Sequence, residues 1–277
     1  MPINVKTNNA SVSTLNDLNK TSRALQRTFE RISSGQRIAR AADDAAGLGV
    51  AENLRAAHTS AAVAARNTND GISIISVAEG ASSEVGSILV RMRELAVQGA
   101  SETLASGERA FIQDEYVSLA SEVDRIAAVT EFNGFKLTDG TTSSIGVQVG
   151  INNTVNDQID LTLGDLRGAT LGVDTGTIDM STATGAFAAL TDIDTAIATV
   201  SGYRSDYGAV ENRLGNALTN LETFSESTIS AESRIRDADF GFETAQLSQQ
   251  QVLQQAGVSV LSQAKGLNQA ALSLLQN

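Results

Sequence analysis

A chain of 277 residues with no cysteine, no tryptophan, one histidine and a formal charge of -12 closes off several kinds of chemistry at once. Without cysteine there is no disulfide, thiolate nucleophile or Cys-ligated zinc, and the single histidine excludes His-rich metal centres and HExxH sites. The 32 acidic residues against 20 basic ones argue against general nucleic-acid binding, which needs basic surface to neutralise phosphates.

With only 8 Phe and 3 Tyr as rings, the apolar share falls to Leu, Ile, Val and Ala, a composition suited to closely approaching helices. Pro2 is the only proline, so glycines and short polar runs must punctuate the rest of the chain. The amino end, MPINVKTNNASVSTL, has no apolar run like a secretory signal, so a secreted chain of this kind would use a route that leaves its terminus intact. No stretch is read as the roughly 18 apolar residues of a membrane span, and no membrane insertion is predicted.

From Ser11 a seam of Leu15, Leu18, Ser22, Leu25, Phe29 and Ile32 alternates steps of three and four, the mark of an amphipathic helix packed on another. Gly35 is placed to end it, and Asp43 to cap the next helix with Asp44 in its first turn. A continuous helix from Asp43 to Gln98 would be about 80 Å long. Its seam runs through Ile75, Ala78, Ser82, Val85, Leu89, Met92 and Ala96. Residues 99–108 read as a turn, and Ile112, Tyr116, Leu119, Val123 and Ile126 define a third helix. Asn133-Gly134 and Asp139-Gly140 are turn signals. Residues 141–185 become polar, with IGVQV and IDLTL alternating as strands of a hairpin. Helical periodicity returns from Leu190 through Tyr207, Leu214, Leu221 and Phe224 to a polar junction at 233–246. The last segment carries Leu253, Ala256, Val260, Ala264, Leu267, Ala271 and Leu274.

The predicted fold is mainly α: long helices forming a coiled-coil-like terminal pair and a helical bundle, with a small β-hairpin-rich central region. Residues 1–42 and 236–277 form an assembly domain of two terminal helices with their junctions. The core domain comprises 43–140 as a long-helix half, 141–189 as a β-rich part and 190–235 as a returning helix. A pair of slim terminal helices rich in Gln and Ser is marginal by itself and becomes sensible when neighbouring copies add packing. Head-to-tail association that does not close produces a filament. Leu15, Leu18, Leu25, Phe29 and Ile32 with Leu253, Val260, Leu267 and Leu274 are the predicted subunit-packing residues. In the two junctions, Arg37 and Arg40 are predicted to meet Asp237, Asp239 or Glu243.

No phosphate-binding GxxxxGK[ST] loop occurs, and the acid pairs Asp43-Asp44, Asp192/Asp194 and Asp237/Asp239 lack full EF-hand spacing. They read as caps and solvated charge. No catalytic, cofactor-binding or metal residue is assigned, and no enzyme activity or cofactor is expected.

Several stretches, in order, resemble bacterial flagellin: TLNDLNKTSRALQRTFERISSGQRIARAADDAAGLGVAENL, RMRELAVQGA, TEFNGFKL, YRSDYGAVENRLGNALTNL and ISAESRIRDADFGFETAQLSQQQVLQQAGVSVLSQA. The resemblance covers both helical arms, roughly 3–140 and 190–277, and the short middle corresponds to a compact form. It implies a structural subunit of the extracellular flagellar filament, serving motility. In that family the terminal helices make an inner tube and the longer helices a surrounding shell. It further implies export through the flagellar type III apparatus in an unfolded state. The partners implied are other copies of the chain, an export chaperone, and filament cap and hook-junction proteins. Arg91, Leu95 and Glu115 match the patch read by the animal flagellin-sensing Toll-like receptor. Hook–filament junction proteins share the helical ends and are the alternative; an acidic-site enzyme is a distant second.

Overall fold

Residues 8–275 are described by a computed structural model of the chain, with side-chain surroundings described as far as residue 266. Helix α1 is Asn9–Ser34. The Asn8 side chain accepts a hydrogen bond from the Ser11 N–H at 3.0 Å, and Gly35 closes the helix at φ 70, a left-handed stop that suits glycine. Helix α2 is Ala45–Gly99, 55 residues. Its cap is Asp44 in place of the expected Asp43: Asp44 Oδ1 accepts from Gly47 N at 2.8 Å, and the Asp44 carbonyl accepts from Leu48 N at 3.0 Å. Asp43 is still part of the preceding turn, where its carboxylate accepts from Arg40 N at 3.1 Å. Helix α3 is Ser106–Val129, with Glu108 reaching back to the Ala105 N–H at 3.0 Å.

Strands β1 (Glu131–Phe132) and β2 (Phe135–Lys136) form a minimal hairpin. Its turn residues Asn133 and Gly134 both have positive φ, 48 and 82, as a two-residue hairpin turn requires. Strands β3 (Ser144–Gln148) and β4 (Gln158–Thr162) pair antiparallel with Val147 opposite Ile159. A short helix α4 (Gly168–Leu171) follows. Helix α5 is Ala183–Arg236. It begins before the expected Leu190 because Thr182 Oγ1 caps Gly185 N at 3.0 Å and the first buried positions, Ala186 and Ala189, are alanines that carry little periodic signal. Helix α6 is Phe240–Leu275, so only three residues separate it from α5. Asp239 makes that stop brief by capping α6, accepting from Gly241 N at 2.8 Å and Phe242 N at 3.1 Å.

By internal contacts the chain forms two compact units, residues 57–226 and residues 1–56 with 227–277, so the divisions fall inside α2 and α5. In the first, every member of the α2 seam from Ile75 to Ala96 is fully buried. One cluster joins Val85, Leu89, Met92 and Leu95 to Tyr116, Val123, Leu166, Met180 and Ile193. A second joins Ile75, Leu137, Val147, Leu161, Tyr207 and Leu214. The two large buried rings are satisfied: Tyr116 Oη donates to the Val173 carbonyl at 2.7 Å, and Tyr207 Oη accepts from Gly164 N at 2.9 Å. Burial raises the Tyr116 phenol well above its usual range, with Asp174 and Asp192 adding to the shift. Surface pairs Arg93–Asp194 and Arg204–Glu79 tie α2 to α5.

One expectation changes here. By length and composition alone, α2 is long and apolar enough to cross a membrane. Its many alanines raise hydropathy without bulk, and Ile75, Val85, Leu89, Met92 and Leu95 line the core just described.

Candidate assembly surface

In the unit formed by 1–56 and 227–277, α1 and α6 run antiparallel side by side. Three contacts set their register. Asn8 Nδ2 donates to the Ala264 carbonyl at 2.9 Å. A Cβ placed on Gly257 would stand 3.3 Å from Leu18 Cδ1. Arg31 Nη1 meets Glu243 Oε1 at 3.3 Å.

The face that α6 turns to α1 is Glu243, Leu247, Gln250, Gln254, Gly257, Leu261 and Ala264, all buried or half-buried. From α1 it meets Ser11, Leu18, Leu25, Thr28 and Ile32, likewise buried or half-buried. The contact is thus unusually polar for a helix pair. Glu243 is 4% exposed, and Gln250 Oε1 and Arg31 Nε are buried without a hydrogen-bond partner. A polar cavity of about 250 Å³ opens beside them, lined by Ala24, Arg27, Thr28, Arg31, Phe242, Glu243, Gln246 and Gln250. Buried, imperfectly satisfied polar groups contribute little net stability.

The predicted packing residues fall into two sets. Leu18, Leu25 and Ile32 are half-buried in the α1–α6 contact. Leu15, Phe29, Leu253 and Val260 are exposed, the last two by 51% and 50%. The carboxyl-terminal seam is therefore not the face that α6 presents to α1, except at Ala264. Hydrophobic periodicity selects the more apolar of two neighbouring stripes, whereas the intramolecular stripe interrupts Leu247, Leu261 and Ala264 with Glu243, two glutamines and a glycine. Leu267 and Leu274 lie outside the residues whose side chains are described.

The junction residues come together, but not as the expected ion pairs. Gln36 and Asp237 form an isolated antiparallel bridge, with Arg37 N donating to the Arg236 carbonyl at 2.7 Å and Ala238 N to the Gly35 carbonyl at 2.9 Å. The Arg37 guanidinium donates to the Ile235 carbonyl, capping the last turn of α5, where carbonyls lack helical partners. Arg40 turns back to Glu30 on α1. Asp237 accepts from the Ser233 hydroxyl at 2.6 Å, and Asp239 is spent on the α6 cap. The cation that reaches Glu243 is Arg31, which also lies 3.9 Å from Asp43. Arg31 is absent from the residues expected at the junction; its position one turn before Gly35, at the end of α1, is the signal that was available.

Of the three residues matched to the receptor patch, Arg91 and Glu115 meet on the surface of the 57–226 unit. Arg91 Nε and Nη2 donate to Glu115 Oε1 at 2.9 and 2.7 Å, while Nη1 reaches Glu94 at 2.8 Å. Leu95 does not join them. It is 1% exposed, turned into the core with Leu89 and Met92, because the buried stripe of α2 is wide enough to take in both Leu95 and Ala96. Among the described residues no group of three or more His, Asp or Glu is placed to hold a metal ion.

The geometry defines a class: a helical subunit with one self-sufficient core and a terminal helix pair that leaves leucine, valine and phenylalanine uncovered. Comparison with known proteins gives that class a family. Residues 5–143 match the bacterial flagellin N-terminal helical region, and residues 190–275 match the bacterial flagellin C-terminal helical region. A flagellin of Halalkalibacterium halodurans is 43% identical over 251 residues, spanning 91% of this chain and 92% of the relative. The flagellin of Bacillus subtilis is 37% identical over 301 residues, spanning 97% and 98%. The crystal structure of Bacillus cereus flagellin aligns with a TM-score of 0.50 at 32% identity, covering 56% of this chain and 88% of that one. The chain belongs to the bacterial flagellin family and is a structural subunit of the flagellar filament.

Proposed function

We propose that this subunit joins its neighbours chiefly through the residues that α1 and α6 leave uncovered, Leu15, Phe29, Leu253 and Val260 among them. The observation that carries this reading is α6 itself. From Thr244 to Ala264 it holds no charged residue, yet Val252, Leu253, Val258 and Val260 are each at least half exposed. A surface helix in water is normally charged on its outer face. One without charge is matched to burial, and covering each of these half-exposed side chains contributes about 0.75–1.5 kcal/mol, half of what full burial brings. The half-buried Leu18, Leu25 and Ile32 hold α1 to α6 so that both outer faces are presented together.

The polar α1–α6 contact also suits the export and growth expected of the family. A pair whose half-buried leucines are interspersed with glutamines, small residues and one ion pair opens at lower cost than an all-apolar one, which suits passage in an unfolded state through the flagellar export apparatus. A chaperone would cover the charge-free α6 beforehand, and cap and hook-junction proteins would receive the subunit outside the cell. The Arg91–Glu115 pair is the part of the receptor patch that an animal flagellin-sensing Toll-like receptor could reach, with Leu95 acting from beneath as core.

Electron microscopy of the purified full chain under polymerising conditions tests the central reading. Filaments are expected. A protein that stays monomeric at all concentrations and salt conditions, with its helices intact, overturns it.

A further inference from the structure

A groove of about 450 Å³ lies in the 57–226 unit, between the turn that joins β3 to β4 and helix α5. On α5, Asn216, Asn220 and Phe224 follow one another at intervals of four and so share one side of the helix. Asn156, on the turn, lines the opposite wall. All three asparagines are exposed, and among the described residues none of their side-chain amides is engaged by a protein partner. Asn212, one turn earlier on α5, is different: its amide donates to the Gly208 carbonyl at 2.8 Å, and it does not line the groove. The floor is apolar, with Val149 and Leu221 buried, while the Phe224 side chain keeps 39% of its surface open at the edge.

The turn that forms the second wall is braced from within. Gln148 Nε2 donates to the Gly150 carbonyl at 3.0 Å and to the Asn152 carbonyl at 2.9 Å. The N–H groups of Val149 and Gly150 both donate to the Asp157 carbonyl, at 2.8 and 3.0 Å. The Thr154 hydroxyl donates to Asp157 Oδ2. The other carboxylate oxygen, Asp157 Oδ1, sits so close over Gly150 that a Cβ there would stand 1.8 Å away, so only glycine admits the carboxylate at this place. The groove therefore offers one fixed carboxylate oxygen, three amides and an apolar floor. No lysine or arginine lines it.

We infer that this groove binds a neutral sugar, one pyranose ring that is either free or a unit of a polysaccharide. Amides donate and accept, and a carboxylate accepts, which is the complement of hydroxyl groups that do both. The carbon face of a pyranose is apolar and suits Leu221 and the open side of Phe224. An anion would meet Asp157 with no cation in the lining to offset the repulsion. A divalent cation would find one carboxylate where six or more oxygens are needed. A purely apolar ligand would cover the amides without bonding them. The volume lies in the range of small-molecule sites. This site goes beyond the assembly reading and does not rest on it.

The test is an NMR titration of the nitrogen-15-labelled full chain, kept soluble below polymerising concentration. The probes are the methyl glycosides of glucose, mannose and galactose, with sodium glucuronate as the anionic counterpart. At least one neutral glycoside should shift the side-chain amide signals of Asn156, Asn216 and Asn220, with a Kd in the millimolar range expected for so small a ligand. Glucuronate should bind about tenfold more weakly. Asn220→Ala should weaken the sugar by about tenfold without changing the thermal melt, and Asn212→Ala should leave binding as it is. Retention of the chain, but not of its Asn220→Ala variant, on immobilised dextran or mannan marks a polysaccharide unit as the ligand. Glycoside binding without retention marks a free sugar. No shift with any neutral glycoside overturns the site, and so does equal binding of glucuronate or binding that Asn220→Ala does not weaken. If the groove amides respond to no sugar and become protected as filaments grow, a contact between copies occupies the groove. The sugar site then falls while filament assembly stands.

Discussion

Residues 57–226 and the unit made of 1–56 with 227–277 solve the problem of burial differently. The first seals Leu89, Met92, Leu95, Tyr116, Leu161, Ile193 and Tyr207 away from water and satisfies both tyrosine hydroxyls. The second buries Ser11, Thr28 and Glu243 while leaving Phe29, Phe242, Leu253 and Val260 in solvent. One region completes its core within a single copy. The other mixes polar residues with half-buried leucines along its helix contact and leaves several large apolar side chains outside. The difference bears on the proposal above: in the terminal pair the large apolar side chains left in solvent lie on helices with little core of their own, which is where further copies would add packing.

The largest effect should come from removing the terminal helices. Deleting residues 1–30 or 245–277 should abolish filament growth in electron micrographs while circular dichroism still reports a folded helical 57–226 unit. Normal filaments after both deletions would end the comparison as drawn. Next, Leu253→Glu should reduce filament yield at least tenfold by placing a charge in a buried contact, with the melting temperature of the monomer almost unchanged. Leu89→Ala is its counterpart in the other unit. It should cost about 2–5 kcal/mol in a denaturant melt of the monomer, because a fully buried leucine leaves a cavity.

Glu243→Gln should sit below these. It removes the charge that faces the half-buried Arg31 guanidinium, leaving it Asp43 at 3.9 Å, at a cost of about 1–3 kcal/mol to the α1–α6 pair. Amide exchange on α1 and α6 should rise while exchange in 57–226 does not. The smallest effect concerns acid. The Arg167 guanidinium, with help from Thr170, holds the Asp165 carboxyl down at about 2, below its usual value near 3.9. Because the folded value is the lower one, the stabilisation is complete above about pH 4 and is lost as pH falls towards 2. Asp165→Asn should flatten that part of the stability curve for the 57–226 unit and leave neutral-pH filament growth alone.

The two units were also legible to different degrees. The α2 seam could be read residue by residue because every position but Ser82 holds an apolar side chain and all of them are buried. The Asn133-Gly134 hairpin followed from backbone chemistry that few residue pairs satisfy. The α6 face against α1 could not be read this way: Gln250, Gln254 and Gly257 carry no hydrophobic signal, and the stripe that does, Leu253 and Val260, faces outward. The junction partners were hidden for a related reason. Arg37 found a carbonyl and Asp239 found backbone N–H groups, and main-chain partners leave no complementary charge in the sequence to search for. Leu95 shows the limit of spacing rules, since Arg91 and Leu95 are one turn apart on α2 and only the arginine reaches solvent.

The small bridge between Gln36 and Asp237 has a mechanical consequence. The chain passes between its terminal helices and its long ones twice, and at the crossing the two strands are bonded to each other through Arg37 N to the Arg236 carbonyl and Ala238 N to the Gly35 carbonyl. A twist imposed on one strand is handed to the other, so load is shared between two backbones acting as a laminated hinge, stiff to shear and still free to flex where neither strand is helical.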